Sequence, residues 1–96
     1  NSKSVVLLRK IKEKKFTIDC YDPRVNQQEL KKAHNILMKT PKGKYDCIIL
    51  AVAHREFVKM STQEILKFTK DDAYIIDIKG VWNKKISNKF NNYWCL

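Results

Sequence analysis

Glycine and proline are scarce in this sequence, with two of each among 96 residues. The two glycines, Gly43 and Gly80, cannot supply a Gly-x-Gly-x-x-Gly dinucleotide fingerprint, and neither belongs to a Gly-x-x-x-x-Gly-Lys-Ser/Thr phosphate loop. Cysteine is limited to Cys20, Cys47 and Cys95, odd in number and far apart. No Cys-x-x-Cys or Cys/His ligand spacing is present, which argues against a structural zinc and fits a reducing compartment. Neither a plausible His activator at a strand end for covalent catalysis nor a cluster of His and acids for a metal can be found. Long apolar runs are missing too: the longest, Cys47 to Ala53, falls far short of the roughly 20 residues that cross a bilayer. Val5 to Leu8 is too short for the apolar stretch of a signal peptide. The expectation is a soluble, cytoplasmic protein with no membrane partner and no metal.

What is present suits one modest domain, residues 1–96, with one core. The hydrophobic fraction is 44% and the net charge +10. Seventeen of the 20 basic residues are lysines, spread from Lys3 to Lys89 rather than gathered in a block. An excess so dispersed reads as a solvated surface more readily than as a footprint for nucleic acid, membrane or another polyanion.

Hydrophobic periodicity predicts a helix over Ser4 to Lys14, with N-cap oxygens from Ser2 and Ser4, an apolar stripe of Val5, Leu7, Leu8 and Ile11, and lysines at its end. Phe16, Ile18 and Cys20 alternate with polar residues, which predicts a strand from Phe16 to Tyr21, stopped by Asp22-Pro23. Asn26-x-x-Glu29 is a capping-box pattern opening a helix to His34, followed by a short strand, Ile36 to Met38. Cys47 to Ala53 is apolar on both alternating sets, as in a central strand buried on both faces. Ser61-x-x-Glu64 opens another helix, with Ile65, Leu66 and Phe68 facing inward. Ala73 to Ile78 is the next strand. The tail places Ile86 and Phe90 at helical spacing and packs Tyr93-Trp94 down.

Alternating helices and strands imply an α/β fold of Rossmann-like type: a parallel sheet of three or four strands with helices on its faces. A doubly wound unit ordinarily starts with a strand and this sequence opens on a helix, so a first strand is expected upstream of residue 1. Ligands of open parallel sheets bind outside the carboxyl ends of the strands. That rule selects Asp22-Pro23-Arg24, His54-Arg55-Glu56 and Lys79-Gly80-Val81. Each has a plain structural alternative: Asp22 can end a strand, His54 can cap a helix or bond to backbone, and Lys79-Gly80 can be an ordinary loop. Glycine permits a tight turn or close ligand approach, and an adjacent lysine can reach a phosphate or hydroxyl.

Taken together, several segments resemble the C-terminal UDP-binding domain of the nucleotide-sugar 6-dehydrogenase family. Asn1-Ser2-Lys3-Ser4-Val5 resembles the end of its Asp-x-Arg-Asn-Ser motif, and Tyr21-Asp22-Pro23-Arg24-Val25 its Tyr-Asp-Pro strand end. The stretch Tyr45-Asp46-Cys47-Ile48-Ile49-Leu50-Ala51-Val52-Ala53-His54-Arg55-Glu56-Phe57 is similar to its Tyr-Asp-Ala-Ile-Ile-x-Ala-Val-x-His-x-Glu-Phe segment. Asp77-Ile78-Lys79-Gly80 is similar to Asp-Val-Lys-Gly, and Tyr93-Trp94 to the Tyr-Trp ending. The Ala-Val-Ala-His and Asp-x-Lys-Gly forms resemble the branch that oxidises UDP-N-acetylhexosamines.

The resemblance implies a binding domain rather than a complete enzyme. In the family, the sugar C6 alcohol is oxidised in two steps to a carboxylate with two NAD molecules, for surface polysaccharide synthesis. An N-terminal Rossmann domain holds the NAD, and a cysteine near the central helix forms the covalent intermediates. Neither part lies in residues 1–96, so this stretch alone is expected to be inactive. Carried over, Lys79 takes the basic position that contacts the substrate sugar, Gly80 and Val81 line the same loop, and Asp22 and His54 sit at the pocket edge. The partner implied is a UDP-sugar, in a homo-oligomeric full-length enzyme, with no nucleic acid. Two other readings compete: a basic nucleic-acid or polyanion module, for which Phe16, Phe57, Phe68 and Tyr74 sit on apolar faces instead of a stacking platform, and a receiver-like domain with Asp22 or Asp77 as phosphoacceptor.

Overall fold

A computed structural model describes residues 2–95, with side chains from residue 6 onward. The backbone forms two compact units, Asn1–Pro41 and Lys42–Leu96.

In the first unit, helix α1 spans Ser2–Glu13 and carries Lys10 and Lys12 in its last turn, against the negative end of the helix dipole. It begins two residues before the expected Ser4, and the side chains of Ser2, Ser4 and Val5 lie outside the described residues. Helix α2, Gln27–His34, starts where the capping pattern placed it: Asn26 Oδ1 accepts from Glu29 N at 3.1 Å. It stops at Asn35, whose left-handed backbone (φ 56°) turns its N–H back to the Lys31 carbonyl.

Phe16 to Tyr21 is not a strand. Its pairing is one isolated parallel bridge, Cys20 with Met38, where Lys39 N donates to Cys20 O at 2.7 Å. On the edge of that partner segment facing away from Cys20, the Gln27 amide holds the backbone: Nε2 donates to Ile36 O at 3.2 Å and Oε1 accepts from Met38 N at 2.6 Å. The partner segment itself is short, set between the left-handed Asn35 and Pro41, which has no N–H, so the alternation of Phe16, Ile18 and Cys20 finds a single bridge rather than a ladder. Phe16 is exposed.

In the second unit, β1 (Tyr45–Leu50), β2 (Thr69–Asp77) and β3 (Tyr93–Cys95) form a parallel sheet in the order β1-β2-β3. Parallel neighbours need crossovers. The first runs through α3 (Arg55–Val58) and α4 (Thr62–Leu66), the second through α5 (Asn83–Ile86). The α/β reading therefore holds, with two corrections. The strand expected from Cys47 to Ala53 ends at Leu50, and it sits at the edge of the described sheet with Cys47 exposed. The central strand is β2, where Ala73, Ile75 and Asp77 are buried and Tyr74 and Ile76 are exposed.

Register explains that alternation. Ile48 pairs with Ile75 and Leu50 with Asp77 on the inner face, while Cys47 pairs with Tyr74 and Ile49 with Ile76 on the other. The inner face packs with α4, α5 and the loops into one core: Leu50, Ile65, Ile75, Trp82 and Ile86, flanked by Phe57, Val81, Phe90 and Tyr93. Ile65 is fully buried, whereas Leu66 on the same short helix is exposed, so only part of its expected inward face is inward. Of the Tyr93-Trp94 pair expected to pack down, Tyr93 lies against the core and Trp94 is exposed, and Tyr74, expected on an apolar face, is exposed too.

Helix α4 is fixed at its start by a complete capping box, with Ser61 Oγ accepting from Glu64 N at 3.1 Å and Glu64 Oε1 from Ser61 N at 3.0 Å. The Ser61 backbone N–H, and after it the Ser61 hydroxyl, hold the Glu64 carboxyl below its ordinary range. Ser61→Ala should lower stability by about 1 kcal/mol, read as a shift of the urea midpoint at constant slope.

Candidate functional site

The chemistry that matters gathers where β2 ends. A carboxylate at the end of a buried strand must find donors or pay a large desolvation cost. Asp77, with no exposed surface, finds three. Its Oδ1 accepts from Val81 N at 3.2 Å, and its Oδ2 accepts from Trp82 N at 2.8 Å and from Tyr93 Oη at 2.7 Å. The Asp77 carbonyl also accepts from Gly80 N at 3.1 Å. One residue thereby closes the whole turn from Ile78 to Trp82.

Gly80 lies in this turn at φ +68°, the left-handed region where a side chain is strained. A Cβ there would meet Cys95 Cβ at 3.8 Å, an ordinary contact, so the backbone conformation and not crowding asks for glycine. Val81 has its side chain against the core and its N–H on Asp77. Lys79 is the exposed member of the turn, and among the described residues its ammonium has no hydrogen bond or ion pair. A fixed backbone thus presents an uncommitted cation at the carboxyl end of the sheet.

His54 is placed at the same end, after β1, as the N-cap of α3. Its carbonyl accepts from Phe57 N at 2.9 Å and Val58 N at 3.0 Å, and its ring lies tilted 5.7 Å from that of Phe57. Trp82 ties the two strand ends together, with Nε1 donating to Phe57 O at 2.7 Å. Lys85 reinforces the seam, donating to Val58 O at 2.8 Å and Met60 O at 2.7 Å. The third candidate, Asp22, belongs to the first unit. There its Oδ1 accepts from Arg24 N at 2.9 Å and its carbonyl from Val25 N, an Asx-type turn.

Sequence reasoning named Lys79, Gly80 and Val81 but missed what holds them. Asp77 entered as the first residue of the Asp-x-Lys-Gly resemblance and as a phosphoacceptor candidate, the latter a role that its complete burial and three donors oppose. An acid ending an otherwise apolar strand was the available sign; the partner, Tyr93, comes from a strand 16 residues later and left none. Burial, with help from Asp77, pushes the Tyr93 phenol far above its ordinary value, so it stays a hydrogen-bond donor at any physiological pH. Burial also raises the Cys20 and Cys47 thiols, which reduces their thiolate character.

A cleft of about 520 Å³ lies elsewhere in the second unit, at the amino end of β2. Lys44, Thr69, Asp72, Lys89, Phe90 and Asn92 line it. Its size does not outweigh the bonded geometry of the Asp77 turn: binding in parallel sheets follows the carboxyl ends, and this opening is the wide mouth of a β-bulge. There β1 advances from Tyr45 to Cys47 while β2 runs from Thr69 to Tyr74.

Comparison with known proteins adds an independent line. Residues 1–84 match the UDP-glucose/GDP-mannose dehydrogenase family, UDP binding domain. The chain is similar to a UDP-N-acetyl-D-glucosamine 6-dehydrogenase of Pseudomonas aeruginosa, 37% identical over 81 residues, which are 82% of this chain and 19% of that protein. A UDP-N-acetyl-D-glucosamine 6-dehydrogenase of Salmonella typhi is 28% identical over 83 residues, 84% of this chain and 20% of that one. The chain therefore spans about a fifth of the length of these relatives. No solved structure matches.

Proposed function

We infer the function from a plain premise: the chain belongs to the UDP-glucose/GDP-mannose dehydrogenase family and matches its UDP binding domain. Residues 1–96 act as the UDP-sugar-binding domain of a longer NAD-dependent 6-dehydrogenase, which oxidises the C6 alcohol of a UDP-N-acetylhexosamine to a uronate for surface polysaccharide synthesis. The observation that carries the reading is Lys79, an exposed cation on a turn whose backbone is fixed by a buried carboxylate. A rigid base beneath a positive charge suits a phosphate- and hydroxyl-bearing ligand, because the ordering cost is met before the ligand arrives. Gly80 and Val81 form the rest of the turn, and His54 serves at the edge of the same pocket. NAD and the reactive cysteine belong to the remainder of the protein, so residues 1–96 alone yield no NADH.

In the full-length protein, Lys79→Ala should lower kcat/KM for the UDP-sugar about tenfold to a hundredfold, the effect of losing one hydrogen bond from a charged donor. The KM for NAD should stay near its original value. Steady-state kinetics and a thermal melt on the same variant make the test. A normal kcat/KM with a lowered melting temperature would make Lys79 a structural residue and sink the assignment.

A further inference from the structure

The turn that carries Lys79 is held by few backbone bonds of its own. Gly80 N donates to Asp77 O at 3.1 Å, and Asn83 N donates to Gly80 O at a long 3.3 Å. The left-handed Gly80 has no side chain to wedge it in place. What fixes Val81 and Trp82 is the Asp77 carboxylate, and that carboxylate is itself steered by Tyr93. A carboxyl group rotates freely about its last bond unless its oxygens are claimed separately. Here Oδ1 is claimed by Val81, while Oδ2 takes both Trp82 N–H and the phenol, which comes from a different strand. Among the described residues, the phenol is therefore the one donor to Asp77 that lies outside the turn being set.

We infer that Asp77 and Tyr93 form a positioning pair: Tyr93 orients the Asp77 carboxylate, which sets the Lys79–Val81 turn and through it the affinity for the UDP-sugar. Neither side chain touches ligand; both act through the turn. The inference rests on the reading of that turn as the substrate-binding element. It also extends past the part of the chain matched to the family, because Tyr93 lies beyond residue 84.

The geometry separates positioning from bulk stability. Tyr93→Phe keeps the ring that packs on the core and deletes only the hydroxyl. In the full-length protein it should raise the KM for the UDP-sugar, and the Kd for UDP measured by calorimetry, about two- to tenfold, with kcat and the KM for NAD little changed. Amide exchange at Val81 and Trp82 should quicken more than at Ile75 or Ile76 in the body of β2. Ile65→Val trims the same core away from the turn and should lower the melting temperature while leaving KM alone.

A double-mutant cycle with Lys79→Ala distinguishes the two claims. If Lys79→Ala weakens binding and Tyr93→Phe adds little on top of it, the pair acts through the turn as inferred. If Lys79→Ala weakens binding while Tyr93→Phe leaves KM, Kd and the two amides unchanged, the positioning pair is overturned and the substrate reading stands. If Tyr93→Phe frees the amides but neither variant alters binding, the pair does set the turn but the turn does not bind the UDP-sugar, which overturns the link to affinity along with the reading beneath it.

Discussion

Asp77→Ala is expected to be among the most damaging single changes in residues 42–96, lowering stability by about 3–5 kcal/mol, since each buried donor left unsatisfied costs about 1–3 kcal/mol. Truncation removes three acceptor contacts at once and leaves Val81 N–H, Trp82 N–H and the Tyr93 hydroxyl facing the space the carboxylate filled. A small protein has only about 5–15 kcal/mol in total, so a large part of the folded population is at risk at 37 °C. Asp77→Asn sharpens the test. Turned so that its carbonyl oxygen sits at the Oδ2 position, Asn still accepts from Trp82 and Tyr93, but its amide NH2 then faces the Val81 N–H donor to donor. The Asn variant should therefore fall between the wild type and Ala. Urea unfolding of all three chains gives the order directly. An Ala variant within 1 kcal/mol of wild type would mean that the three bonds contribute little to holding β2, α5 and β3 together.

The parts of this fold that were legible in the sequence are those set by local chemistry. Asn26 and Ser61 cap helices where their spacing with Glu29 and Glu64 said they would, because a cap needs only four neighbouring residues. The parallel α/β order was legible from alternation of period. Strand position within the sheet was not. Cys47 to Ala53 is apolar on both alternating sets, yet that pattern reports how much apolar surface a strand has and not where it stands in the order. Cys47 and Ile49 point to the face that also carries Tyr74, Ile76 and, through its pairing with Ile76, Trp94. The Phe16–Tyr21 alternation failed for a related reason: a strand exists only when a ladder partner exists, and the short segment between Asn35 and Pro41 offers one bridge.

The candidate site divides along the same line. Lys79 and Gly80 could be picked out because the end of a strand followed by a glycine is a local pattern. Their supports could not, because Asp77 is satisfied by Tyr93 from β3 and Trp82 is satisfied by Phe57 from α3, contacts that span 16 and 25 residues. A loop residue with a plausible chemical role was thus easier to find than the buried groups that make the role possible.

Trp82 links the two strand ends and gives the last prediction. Its ring is 2% exposed in the centre of the core, its backbone N–H goes to Asp77, and its indole N–H goes to Phe57 O on α3, the helix that His54 caps. Trp82→Ala should cost about 3–5 kcal/mol, the usual loss for emptying a buried aromatic site. Trp82→Phe separates packing from tethering: most of the apolar contact survives, the backbone bond to Asp77 is untouched, and the bond to α3 is gone. That variant should stay folded with a stability loss nearer 1–2 kcal/mol, from one neutral hydrogen bond and a small void. Its amides at Phe57 and Val58, which bond to the His54 carbonyl, should exchange faster than in the wild type. If Phe and Ala were equally harmful, the indole hydrogen bond rather than the ring volume would be holding β1 and β2 at the end where Lys79 and His54 sit. If Phe left both stability and the α3 amides unchanged, α3 would be held by Lys85 at Val58 and Met60 without help from Trp82.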